Sequence, residues 1–181
     1  ICGMALEPKI VTLEDRPNPE QQDMTRRFWI SLGPAALVML LAMADMFPGR
    51  TVHSVMNGPG RNWIQLVLAT PVVLWGGWPF FERAWISIIH RAPNMFTLIG
   101  LGTGAAYLYS VLATIAPDLL PSSFQAHDGS MPAYFEAASV ITVLVLLGQV
   151  LELRARGRTT SAMKALLGLT PKTARKVEKD G

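Results

Sequence analysis

The chain is short of charge and nearly without cysteine. Asp, Glu, Lys and Arg supply 16% of its 181 residues, where a soluble domain averages about a quarter. That shortage argues against a disordered chain, a nucleic-acid-binding domain and an ordinary cytosolic enzyme. The single cysteine, Cys2, excludes an intrachain disulfide framework and leaves no thiolate pair for a metal site within the chain. Signatures of catalysis are missing too: there is no GxxxxGK[ST] string, no HExxH, and no nucleophile with a plausible base and orienting group. No residue is assigned a catalytic role. What is abundant is apolar: 50% of the residues are hydrophobic even without the 15 glycines, which points to a membrane.

Four apolar runs approach the roughly 20 residues that a helix needs to cross about 30 Å of hydrocarbon. They cover residues 28–47, 63–81, 95–115 and 133–152. Lipid cannot satisfy exposed backbone groups, so each run is expected to be helical. The expected fold is an all-α polytopic membrane protein with four transmembrane helices. The first run begins behind a charged stretch and is too long for a signal-peptide core. Basic residues accumulate on the cytoplasmic face. With the N-terminus inside, Lys9, Arg16, Arg26, Arg27, Arg83, Arg91 and the basic residues from Arg154 to Lys179 all fall inside, leaving only Arg50 and Arg61 outside. Both termini are therefore expected in the cytoplasm. Residues 153–181 carry eight basic and two acidic side chains, a positive-inside signature rather than a nucleic-acid footprint.

The second run is interrupted in the string WGGWPFFERAWISIIHRA. Gly76 and Gly77 remove side-chain support in succession, and Pro79 removes a backbone donor, so a sharp bend is expected. Beyond it, over residues 82–92, Trp85, Ile88 and Ile89 share one helical face and Arg83, Ser87, His90 and Arg91 the other. This pattern describes an interfacial helix, either a simple anchor or a cationic landing surface for a soluble partner. In the third run, Gly100 and Gly104 form a GxxxG pair that reads as close helix packing, not as a phosphate loop.

Ionisable groups in a membrane are costly and therefore candidates for function. Glu136 lies about one turn inside the outer end of the fourth run, and Glu152 lies at its inner end. Sixteen residues of helix separate them by about 24 Å, and on a straight helix they point roughly 160° apart. Met95 opens the third run and would stand near Glu152 if the two helices are neighbours. Its thioether suits a soft monovalent ion such as copper or silver, or else it simply fills a gap. Met39, Met43 and Met46 share a stripe read as core or lipid packing. His53, Met56, His127 and Met131 are scattered over outer loops, and Asp45 is placed at the outer interface. Residues 153–167 read as a cytoplasmic helix ended by Gly168 and Pro171, followed by a strand in TARKVEKDG that runs into an Asp-Gly turn.

With these residues in view, the chain resembles the membrane-entering N-terminal region of heavy-metal P-type ATPases of the copper- or silver-exporting class. The resemblance covers nearly all of it and is carried by GGWPFF, NMFTLIGLGTGAAYLYS and YFEAASVITVLVLLGQVLELRAR. It implies that Met95 and Glu152 belong to a cytoplasmic metal-receiving site and that Glu136 belongs to the exit pathway. It also implies that Gly76 and Gly77 form a kink beside a platform containing Arg83 and Arg91, which receives metal from a copper chaperone or from the protein's own N-terminal metal-binding domain. ICGMALEP is similar to the end of such a metal-binding segment, making Cys2 and Met4 candidate ligands within a cytoplasmic tail of residues 1–27. Residues 153–181 would open the actuator domain. The transported ion would be Cu(I) or Ag(I), in a bacterial inner membrane. ATP and Mg2+ would act only in a longer protein, because the family's Cys-Pro-Cys, DKTGT and TGE strings are absent from these 181 residues. The competing readings are a zinc- or cobalt-pump segment and a non-enzymatic four-helix membrane scaffold.

Overall fold

The computed structural model describes residues 19–43, 60–121 and 132–168, with side chains up to residue 157. Cys2, Met4, Asp45, Met46, His53, Met56, His127, Met131 and the strand expected after Gly168 lie outside the described residues. Within them the chain is all helical. Helix α1 spans Pro19–Ala42 and α2 spans Gly60–Thr70, continuing as a π-helical stretch over Pro71–Gly76. Helix α3 covers Trp78–Ile89, α4 covers Met95–Ile115, a 3-10 turn covers Pro117–Leu119, and α5 runs over Phe135–Gly168.

Among the described residues, two helices are long and apolar enough to cross a membrane: α4 and the Phe135–Gly157 part of α5. A third span results if Gly60–Gly76 and the bent continuation Trp78–Ile89 are taken as one. The described part of α1 carries Glu20, Asp23, Arg26 and Arg27 in its first turns, and its apolar portion from Phe28 to Ala42 is shorter than a span.

Several boundaries differ from the sequence expectation. Helix α1 starts at Pro19, inside the stretch read as a tail, because proline fits the first turn of a helix. The axis bends at Gly77, so Pro79 and Phe80, counted in the second apolar run, already belong to α3. Helix α5 runs through Glu152 to Gly168 as one element, where the fourth run and the 153–167 helix were counted separately.

Three apolar clusters fix how the helices run. Met24 packs with Phe80, Phe96, Leu146, Val150 and Leu153. Ala35 packs with Val72 and Val143. Val38 packs with Ala69, Val73, Tyr107, Phe135 and Ala138. Numbers rising along α1 meet numbers falling along α5, so these two helices are antiparallel. The same comparison makes α4 antiparallel to α5. Helix α4 meets α3 at Gly100, where a Cβ would come within 2.8 Å of the Ala84 Cβ, so the small residues serve close packing. At the far end, the Thr70 and Tyr107 hydroxyls share a 2.8 Å hydrogen bond, and the Tyr134 amide donates to Ser110 Oγ at 2.7 Å as the chain enters α5.

Candidate metal-receiving end of the bundle

The two halves of the second apolar run differ in axis by 56°. At the break, the Gly77 amide donates to both Val72 and Val73 carbonyls, at 3.2 and 3.1 Å. A Cβ on Gly77 would press onto the Val73 carbonyl oxygen, so only glycine admits this approach. Pro79 has no N–H to offer the Trp75 carbonyl one turn back. Arg27 of α1 supplies the missing donor and sets its guanidinium 5.0 Å from the Trp75 ring centre, while Asp23 holds it at 2.7 Å. Arg27 was not singled out from sequence. The Pro79 spacing signals the orphaned carbonyl, but the donor comes from a distant helix.

Helix α3 ends in a tight turn. The Arg91 amide donates to the Ile88 carbonyl and the Ala92 amide to the Ser87 carbonyl, both at 3.0 Å, which is the helix-ending pattern that usually has glycine at its left-handed position. Here Arg91 occupies it at φ 51°. Asn94 then starts α4: its side chain accepts from the Phe96 and Thr97 amides, and Thr97 Oγ1 accepts from the Asn94 amide. The Ser87 and Thr97 hydroxyls are hydrogen-bonded to each other, tying α3 to α4 beside Met95.

Met95 is 57% exposed at the first position of α4. Its neighbour Phe96 belongs to the same buried cluster as Val150 and Leu153, the residues on either side of Glu152 in α5. The partners of Glu152 are Gln149, whose Nε2 donates to Oε2 at 3.0 Å, and Arg156, which donates to Oε1 at 2.7 Å. Gln149 Oε1 in turn accepts from Arg83 at 3.1 Å, and Arg83 pairs with Glu20 at the start of α1 while lying 5.1 Å from the Phe96 ring centre. A continuous polar chain therefore runs Glu20, Arg83, Gln149, Glu152, Arg156 across α1, α3 and α5.

Arg83 and Glu152 are thus brought together, through Gln149. Arg83 is turned inward with 18% of its side chain exposed, and Ser87 is buried, whereas His90 and Arg91 remain exposed. The outward cationic face of α3 is correspondingly narrower than its sequence pattern. Glu136 stands apart at the opposite end of α5, half-buried beside Phe135, which packs edge-on to Tyr107. Met39 on α1 and Met43 just past its end are exposed. Between the two ends, Ser31, Thr103 and Ser139 are buried with no hydrogen-bond partner for their hydroxyls among the described residues. No group of three or more His, Cys, Asp or Glu side chains suited to a metal ion occurs among them either.

No protein-family model matches the chain. It is 54% identical to a copper-transporting P-type ATPase of Rhizobium leguminosarum bv. viciae over 99% of its own length and 21% of that protein. It is 53% identical to a silver exporting P-type ATPase of Salmonella typhimurium, over 100% of the chain and 22% of the relative. A copper-exporting P-type ATPase of Legionella pneumophila subsp. pneumophila is 51% identical, over 100% of the chain and 24% of the relative. The chain therefore spans between a fifth and a quarter of the length of these curated relatives. Over that length its homologues are copper- and silver-exporting P-type ATPases.

Proposed function

We propose that the chain is the membrane portion through which a monovalent soft cation, Cu(I) or Ag(I), is received and released in an ATP-driven exporter. Phosphorylation, with ATP and Mg2+, belongs to parts of the full-length protein beyond these residues. In this reading the polypeptide crosses the membrane four times, with a kinked second helix and both termini in the cytoplasm, in a bacterial inner membrane. Met95 and Glu152 receive the ion and Glu136 assists its release. The bend at Gly76 and Gly77 presents a platform, with Arg83 at its inner edge and Arg91 at its exposed end, to a copper chaperone or to an N-terminal metal-binding domain.

What supports this reading is that Phe96, next to Met95, shares a buried cluster with Val150 and Leu153, which flank Glu152. The chemistry follows from the donors. A thioether binds a soft d10 cation by polarisable overlap and exchanges it readily. A carboxylate beside it lowers the energy of the cation where water is being lost. Glu136 provides a second negative group about 24 Å further along α5, so the ion leaves toward charge as it arrived toward charge. Arg91 supports the platform reading through its backbone. A non-glycine residue in the left-handed region costs about 1 kcal/mol, and strain of this kind concentrates where function needs a particular side chain.

The test is ATP-driven uptake into inverted membrane vesicles containing the full-length protein, with Cu(I), Ag(I) and Zn(II) compared. The reading expects uptake of the monovalent ions and reduced uptake in Met95→Ala and Glu152→Ala. Unchanged monovalent transport in both variants, or preference for Zn(II), would contradict it.

A further inference from the structure

We propose that Gln149 is the positioning residue of the Glu152 carboxylate, and that Arg83 fixes which way round Gln149 stands. This deepens the reading of Glu152 as a metal-receiving group and rests on it. An arginine can only donate hydrogen bonds and an ionised carboxylate can only accept them. The two cannot be joined by a third side chain unless it offers an acceptor at one end and a donor at the other. Gln149 does so: Oε1 takes the bond from Arg83 and Nε2 gives one to Glu152 Oε2. Turning the amide over would set NH2 against guanidinium and carbonyl against carboxylate. Arg83 is itself held in place by Glu20 and the face of Phe96, so the amide has one orientation. Gln149 is only 7% exposed, which leaves water a poor substitute for either bond.

The two oxygens of Glu152 are therefore held differently. Oε2 is tied to a buried amide, and Oε1 to Arg156, whose side chain is 36% exposed. The exposed partner is the one water replaces when a cation takes Oε1, while the buried amide keeps the carboxylate aimed. Arg83 then acts on Glu152 from inside the bundle, whether or not a protein delivers the metal. A docking cation would act only during delivery by a protein.

The experiment measures uptake kinetics of full-length protein in inverted vesicles, with Ag(I) alone and no protein donor, at equal amounts of folded protein. Glu152→Gln should raise KM. Gln149→Met, close in volume and without hydrogen bonds, should raise KM for Ag(I) about tenfold with a smaller change in kcat, the scale expected when the outer partner of a metal ligand is removed. Gln149→Leu provides a second apolar replacement. Arg83→Met should raise KM as well, and Arg83→Lys, which keeps a donor for Oε1, should recover most of the loss. Adding Gln149→Met to Glu152→Gln should change KM no further, an outcome that general damage to folding does not produce. An unaltered KM in Glu152→Gln would remove both the reading and the inference. A raised KM in Glu152→Gln with an unaltered KM in Gln149→Met and Gln149→Leu, or with effects that multiply, would remove the inference alone. If Arg83→Met impaired only metal supplied by a protein donor, Arg83 would be a docking cation and its positioning role would be refuted.

Discussion

Adding one methyl group at Gly76 and one at Gly77 should have unequal consequences, because the two glycines meet different kinds of neighbour. A Cβ at Gly77 presses on the Val73 carbonyl oxygen, with Phe81 Cε2 at 3.1 Å behind it. The obstacle is backbone, so no rotamer relieves it and the π-helical stretch must unwind or the bend must change. Overpacking of this kind costs about 1–3 kcal/mol. A Cβ at Gly76 instead meets Ser31 Oγ at 2.5 Å, with Ser31 Cβ and Leu146 Cδ1 at ordinary contact. Ser31 Oγ has no hydrogen-bond partner among the described residues, so turning its χ1 sacrifices no bond and costs about 0.5–1.5 kcal/mol in rotamer energy. Thermal unfolding in detergent, followed by the emission of Trp75 and Trp78 beside the bend, should therefore show a clear loss for Gly77→Ala and a smaller one for Gly76→Ala. Truncating Ser31 to alanine should abolish the Gly76→Ala loss and leave the Gly77→Ala loss intact. Equal losses at the two glycines, or no relief from Ser31→Ala, would refute this division of roles.

Other consequences follow from single contacts. Arg27→Met leaves the Trp75 carbonyl without a donor, which should cost about 1–2 kcal/mol and lower the thermal midpoint; Arg27→Lys should recover part of it. Arg91→Gly removes left-handed strain worth about 1 kcal/mol and should raise the midpoint, while slowing uptake of metal supplied by a protein donor. Ser110→Ala strips the Tyr134 amide of its acceptor and should destabilise the start of α5 by about 1 kcal/mol, read by faster amide exchange there. Glu136→Gln should leave metal-dependent phosphorylation of the full-length protein in place and slow its decay, if release is where that carboxylate acts.

The helical class was legible in the sequence because lipid leaves the backbone no alternative over runs as apolar as 95–115 and 133–152. The bend was legible because Gly76, Gly77 and Pro79 each weaken a helix by a separate mechanism. The carbonyl that the chain approaches there, that of Val73, was not legible, since no local pattern encodes it. The polar chain at the Glu152 end of the bundle escaped the sequence reading. Gln149 is uncharged and lies inside an apolar run, Glu20 sits in a stretch read as a tail, and Arg83 looked like surface charge on an amphipathic helix. Each gains its meaning only when α1, α3 and α5 converge, and no local periodicity encodes that convergence. Glu152 and Met95 were candidates from residue type and position, a carboxylate and a thioether at helix ends, and the family resemblance assigned them to one site.

The most direct test of the central claim is a double-mutant cycle between Met95 and Glu152. It reads the initial rate of ATP-driven Ag(I) uptake by full-length protein in inverted vesicles at subsaturating Ag(I). If both side chains hold one ion, Met95→Ala and Glu152→Gln should each reduce the rate, and the double variant should be little worse than the poorer single one, a coupling of about 1 kcal/mol or more. Reductions that multiply, or an undiminished rate in Met95→Ala, would contradict the account.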